Sequence, residues 1–383
     1  MVIELGAEKR PHLNIGPGEF IREEQESRGW RQEDLAEILG LSLKHVNQLI
    51  KNRQPITVDT ARLLSQAFGQ SAQYWMNLDA NYRLRLQGQD EIEDAVRVRA
   101  QIYEHMPIAE MRRKRWLGEC RKLDNLITQL QDFWDTDELD FHKLQIALPY
   151  LRKSTSFASY NEHFALTWFR MAQRCAAIYK VPAYDRSKLE ALAANLHKFT
   201  SQSGGIELFL AELNLVGVKF FVLSHLQHTY IDGASFMDQE NPVVVYTQRY
   251  DRIDNFWFTV AHEIGHILLH IKEKADFFID NLDEIGSAKE KQANKLAAKY
   301  LGETEVLRCF RTAKKYISTD RVNSCAFQYR LDPAIVVGIL QHHGMLSQRN
   351  LNRFKVKISG LIPDEYLAEN HLERINESCV VGQ

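Results

Sequence analysis

Phe256-Trp257-Phe258-Thr259-Val260-Ala261-His262-Glu263-Ile264-Gly265-His266-Ile267-Leu268-Leu269-His270 decides how this chain is read, because it sets H-E-x-x-H inside an apolar segment of helical period. Histidines four residues apart share one helix face, separated by about 6 Å of rise and about 40° of rotation, so both imidazoles can reach one metal ion. Glu263 points to the neighbouring face, where its carboxylate could take a proton from a water beside such an ion. The pattern fixes only three positions and arises by chance in unrelated helices. Its context weighs against chance: Phe256, Val260, Ile264, Ile267 and Leu268 mark a buried helix, and burying imidazoles and a carboxylate without a purpose costs stability.

A zinc ion needs a third protein ligand and keeps its fourth position open. His270 lies about 12 Å and about 80° from His262, too far for ligand distances near ~2 Å, and is read as a supporting or surface residue. The downstream carboxylates are Asp276, Asp280, Asp283, Glu284 and Glu290. Spacing ranks Glu290 first, since it opens a helical run, 290–301, in which Ala293, Ala297 and Ala298 permit close helix packing. Asn294, one turn beyond Glu290, is placed to orient a ligand. Short β-type runs at 216–223, 231–236 and 243–246 predict a small sheet whose edge can hold an extended peptide.

The remaining composition is that of an ordinary globular protein: 383 residues, 45% hydrophobic, 26% charged, net charge −2. Nucleic-acid binding would therefore need a local patch. No apolar run approaches the ~20 residues that span a bilayer, and residues 1–10 lack a signal-peptide core, so the expected location is cytoplasmic with no membrane contact. The 5 cysteines are scattered without C-x-x-C, which leaves histidine and carboxylate as metal ligands.

Residues 12–87 read as a five-helix domain. Pro17-Gly18 opens one helix; Gln32-Glu33-Asp34-Leu35-Ala36 begins a second, which Gly40 stops; Ser42 caps a third. Leu35, Ala36, Ile38, Leu39, Leu41, Val46, Leu49 and Ile50 supply the apolar positions of a helix-turn-helix. Ser42, Lys44, His45, Asn47 and Gln48 remain outside as candidate contacts to base edges and phosphates of double-stranded DNA, with Lys51 and Arg53 adding charge. Thr57 caps a further helix, and the aromatics of Ser71-Ala72-Gln73-Tyr74-Trp75-Met76 close a core or a dimer seam. Residues 88–203 are charged, Gly-poor and helical, with no catalytic motif; the basic run Arg112-Arg113-Lys114-Arg115-Trp116 could touch DNA but reads rather as a solvated helix end.

Pro17-Gly18-Glu19-Phe20-Ile21-Arg22-Glu23-Glu24, Gln32 to Ala36, Asn47-Gln48-Leu49-Ile50 and Ser71 to Leu78 resemble the HigA-type antitoxins among the XRE-type helix-turn-helix repressors. That resemblance implies binding to an operator, usually as a homodimer, by the helix beginning at Ser42. Arg249-Tyr250, Phe256 to Leu268 and the Glu290-x-x-Ala293-Asn294 pattern resemble the ImmA/IrrE family of zinc metallopeptidases, and the likeness continues through Leu331 to His342. It implies a zincin-like α+β fold with His262, His266 and Glu290 as Zn2+ ligands and Glu263 as catalytic base; the fused order of the two domains suggests that the protease regulates repression, acting on a partner protein, a toxin or repressor, or on its own linker. The chain departs from the family's usual Leu-Met-Pro-like stop at Tyr300-Leu301-Gly302-Glu303. The oxyanion-stabilising group is not identifiable; His225, His228 and Tyr230 are weak candidates.

A shift of 290 positions lays Ala36, Leu41, Ser42, Val46, Leu49 and Ile50 on Ala326, Leu331, Asp332, Val336, Ile339 and Leu340. Pro333, Ala334, Val337 and Gly338 replace the polar reading face, so this second helix pair is expected to pack rather than to read DNA. The expected whole is mainly α: a DNA-binding domain at 12–87, a helical connector at 88–203, a peptidase domain at 204–305, a helical segment at 306–358 and a tail at 359–383. Two functions fit it: a regulator carrying a zinc endopeptidase, or an antitoxin-like repressor whose peptidase-like part senses a ligand or partner without cleaving anything.

Overall fold

The computed structural model describes residues 14–86, 91–140, 160–271, 277–280, 288–311 and 317–377. It divides into two compact units between Val98 and Arg99, and each is built around its own core.

The first unit holds α1 (Pro17–Ser27), α2 (Gln32–Leu39), α3 (Leu43–Ile50), α4 (Val58–Phe68) and α5 (Ala72–Leu86). Gly40 ends α2 at φ 65°, a left-handed conformation that glycine adopts without a Cβ clash. Ser42 Oγ then accepts from His45 N at 3.2 Å, and Thr57 Oγ1 accepts from Thr60 N at 3.2 Å, so helices start where capping chemistry placed them. Leu35, Ala36, Leu39, Val46, Leu49 and Ile50 are buried with Trp75 against them. Ile38, expected in this core, is 48% exposed, because the short α2 buries only the face carrying Leu35, Ala36 and Leu39.

The division between units falls within α6 (Glu91–His105). The second unit continues with α7 (Ile108–Arg113), α8 (Leu123–Trp134), α9 (Glu162–Ile178), α10 (Arg186–Ala194), α11 (Leu196–Thr200) and α12 (Gly205–Leu215). Four strands follow in the order β1-β3-β2-β4: β1 (Lys219–Val222), β2 (Gly233–Asp238), β3 (Asn241–Tyr246) and β4 (Phe277–Asp280). β1 runs parallel to β3; the other pairs are antiparallel. The helices α13 (Ile253–Leu269), α14 (Ala288–Tyr300), α15 (Glu303–Phe310), α16 (Thr319–Tyr329), α17 (Pro333–His342) and α18 (Leu372–Glu377) complete the unit.

Because side chains alternate across a strand, the register sorts the sheet into two faces. Phe220 and Tyr246 meet Phe256 of α13 on one face; Phe236 meets Phe169 of α9 on the other. The metal-motif helix and a helix of the region read as a connector therefore cover opposite faces of one sheet. Only Arg113 and Arg115 of the basic run are exposed; Lys114 donates to Ser224 Oγ and Trp116 is buried.

The segment from 359 is not a loose tail through residue 377: Ile362, Tyr366, Leu372 and Ile375 are buried. Its attachment is polar as well as apolar. Asp251, just before α13, accepts from Ile358 N, Ser359 N and Ser359 Oγ, and Lys355 Nζ pairs with Asp254 at 2.7 Å. These contacts join residues 355–359 to the N-terminus of the metal-motif helix. The helix pair α16–α17 packs as expected, with Ala326, Leu331, Val336 and Leu340 buried and Asp332 Oδ1 accepting from Ala334 N at 2.7 Å.

Candidate functional site

α13 is buried nearly all round, from Ile253 to Leu268, which fixes its rotation and hence the direction of its polar residues. His262, Glu263 and His266 are each 0% exposed. α14 lies close beside it at one point: a Cβ on Gly265 would stand 3.2 Å from Ala293 Cα. That approach brings Glu290, one turn before Ala293, over the two histidines. His262 Nε2 lies 3.0 Å from His266 Nε2, and Glu290 Oε2 lies 3.3 Å from the first and 3.5 Å from the second. A tetrahedral ion with ligand distances near 2.0–2.1 Å has ligand-to-ligand edges of about 3.3 Å, so the three donors fit zinc. Among the described residues no other cluster of three such groups stands out as able to hold a metal. Of the other carboxylates considered, Asp276, Asp283 and Glu284 lie outside the described residues, as does the side chain of Asp280.

His270 is 8% exposed and supports the site rather than joining it. Its Nδ1 is 3.0 Å from His266 Nδ1, and its Nε2 is 3.0 Å from Gln292 Oε1. Burial, above all, holds the His270 pKa below its ordinary value and favours the neutral ring. A neutral His270 that donates Nε2–H to Gln292 must accept at Nδ1, so His266 donates Nδ1–H and turns a lone pair on Nε2 toward His262 and Glu290. The orienting residue on α14 is thus Gln292; Asn294 Oδ1 is buried without a hydrogen-bond partner. The i, i+4 spacing of His266 and His270 was visible in the chain, but the partner across the helix pair was not. Phe278 of β4 stacks on the His266 ring at 4.3 Å.

Glu263 is accommodated by a missing side chain: a Cβ on Gly233, the first residue of β2, would come within 2.4 Å of Glu263 Oε1 and 2.7 Å of Thr259 Cγ2. Gly233→Ala is expected to displace the carboxylate while leaving the three ligands in place. Metal content should match the parent, and any peptide cleavage should fall about 100-fold, the scale of a 1 Å misplacement in a catalytic group. Near this end of the sheet Arg249 Nη1 contacts Asp232 at 3.3 Å and its guanidinium lies over Tyr230 and Tyr250. His225 is half-buried, with a pKa held low chiefly by desolvation, and no oxyanion-stabilising role is assigned to it, His228 or Tyr230.

On α3 of the first unit Lys44 is exposed and His45, Asn47 and Gln48 are half-buried; Lys51 and Arg53, just past its end, are exposed. Ser42 is exposed but its hydroxyl is engaged as the cap. Asn47 Nδ2 donates to Gln32 Oε1 at 3.1 Å, bracing α3 against α2. Part of the negative charge of α1 is paired locally, Glu19 with Arg22 inside the helix and Glu24 with Arg28 at its C-cap.

Residues 21–75 match the family described as Helix-turn-helix, and residues 216–331 match the IrrE N-terminal-like domain, a peptidase-family domain. Virulence-associated protein I of Dichelobacter nodosus is 35% identical over 92 residues, 24% of this chain and 83% of that protein. The HTH-type transcriptional regulator PrpR of Mycobacterium tuberculosis is 39% identical over 75 residues, 20% of this chain and 15% of that regulator. The chain belongs to the XRE-type helix-turn-helix family and carries that DNA-binding domain fused to an IrrE-type, metallopeptidase-like domain. No helix among the described residues is long and apolar enough to cross a membrane.

Proposed function

We propose that the protein is a HigA-like transcription regulator whose second unit is a zinc-dependent endopeptidase acting on a regulatory or partner protein. The convergence of His262, His266 and Glu290 beside a fully buried Glu263 carries this reading. Zinc, when bound by these three residues, would polarise a peptide carbonyl and lower the pKa of water toward ~7. Glu263 accepts the proton of the attacking water and returns it to the leaving amine. His270 and Gln292 hold His266 in the ligating tautomer. An extended substrate backbone would add along β4, which pairs with β2 and lies beside the ring stack of Phe278 on His266.

The DNA-reading side chains proposed are Ser42, Lys44, His45, Asn47, Gln48, Lys51 and Arg53, in a homodimer on a two-fold operator. Lys44→Ala should weaken operator binding at every sequence and flatten the dependence of log K on log salt by about 1, whereas Gln48→Ala should relax base preference. Titration of labelled operator at several salt concentrations separates the two. Zinc analysis of natively purified protein, with comparison of the proteins cleaved in its presence and absence, tests the enzymatic half. Protein that never carries zinc would overturn it; zinc without cleavage of any partner would leave a sensing module.

A further inference from the structure

Two of the scattered cysteines meet in the second unit, Cys309 in the last turn of α15 and Cys325 on α16. Val306, Cys309 and Phe310 share one face of α15, Val322, Cys325 and Ala326 one face of α16, and the two faces close the same small core. A polar contact sets how they meet. Arg321, one turn before Cys325, donates from Nη2 to Cys309 O at 2.8 Å and lays its guanidinium over the Phe310 ring at 5.1 Å. The Cys325 thiol then meets the Cys309 thiol in a side-chain hydrogen bond. Thiols that face each other across two packed helices satisfy the first requirement of a disulfide, which cannot form between side chains that point apart.

The two thiols differ in access. Cys325 is 2% exposed, whereas Cys309 is half-buried. Burial, and after it the Cys309 thiol, raise the Cys325 pKa against the pull of Arg321, so Cys325 stays protonated. Cys309 is the thiol that a solute reaches first. Cys175 on α9 is 0% exposed and lacks that access.

We propose that Cys309 and Cys325 form a redox-active pair, closed to a disulfide by a hydroperoxide and reopened by a dithiol reductant. The Cys309 sulfur, as thiolate, attacks a peroxide oxygen: an S–O bond forms, the O–O bond breaks, and the departing oxygen leaves as water with the proton that Cys309 gave up. The Cys325 sulfur then attacks the Cys309 sulfur: the S–S bond forms, the S–O bond breaks, and the hydroxyl leaves as water with the Cys325 proton. The two thiols lose two electrons and the peroxide gains them. α15 follows α14, the helix of Glu290 and Gln292, after Leu301 and Gly302, so the bond braces the helix that continues from the metal site.

The test treats the full chain in native buffer with hydrogen peroxide, blocks the remaining thiols by alkylation and maps the digest without reductant. The expected result is loss of two of the 5 thiols, a Cys309–Cys325 linked peptide within one chain, and full recovery of both thiols with dithiothreitol. Cys309→Ser should abolish the linked peptide, and Cys325→Ser should leave Cys309 as a sulfenic acid that dimedone traps. The parent digest decides by itself if either variant fails to fold. An unchanged thiol count, a disulfide between other cysteines with Cys309 and Cys325 still alkylated, or Cys309 oxidised beyond the sulfenic acid with no linked peptide would each overturn the proposal. None of these readouts involves zinc or cleavage, so the pair and the peptidase reading stand or fall separately.

Discussion

Glu263→Gln is expected to leave zinc bound and to lower peptide cleavage by about 10²–10⁴-fold, the range a positioned general base contributes. The substitution is close to isosteric, and Glu263 is not among the three donors that converge, so metal content and thermal stability should match those of the parent. The amide cannot accept the water's proton at neutral pH. Two measurements decide the outcome: zinc per chain, and the turnover of the protein that disappears in cells carrying the parent. Unchanged cleavage would remove Glu263 from the mechanism; simultaneous loss of zinc would mean that its carboxylate holds the site together. Operator binding should be the same in parent and variant, because the helix-turn-helix lies in the other unit.

Glu290→Ala should have the complementary effect. It removes one of three donors whose mutual distances are 3.0, 3.3 and 3.5 Å, leaving two histidines that already face each other. Zinc affinity should fall by more than about 100-fold, beyond the 10- to 100-fold typical of losing a supporting contact, and cleavage should fall with it. Gln292→Ala provides the graded comparison: it removes the acceptor that fixes His270, and through it the His266 tautomer, so affinity should drop within that smaller range. Competition with a chromophoric chelator measures both. Equal zinc affinity in Glu290→Ala and parent would take the carboxylate out of the ligand set.

Much of this was legible along the chain because the signals were local. Capping at Ser42 and Thr57 and the glycine stop at Gly40 depend on backbone geometry within a few residues, so the helix-turn-helix followed directly from its residue types. The pair His262 and His266 rests on helix periodicity alone, and geometry excluded His270 as a ligand for the same reason. Glu290 is different. Spacing ranked it first among five carboxylates, but its place depends on Gly265 and Ala293 letting two helices approach, a contact between segments separated by residues 272–276 and 281–287, which lie outside the described part.

The residues themselves determined the helix-turn-helix, the two-histidine motif with its adjacent carboxylate, and the packing character of the second helix pair. Only the tertiary structure decided that Gly233 makes room for Glu263, that Gln292 rather than Asn294 orients the histidines, and that residues 358–377 belong to the metal-domain core. The physical reason is range. Caps and periodicity act over one or two helical turns, whereas these contacts join side chains 22 to more than 100 positions apart, and no local pattern encodes which surfaces will meet.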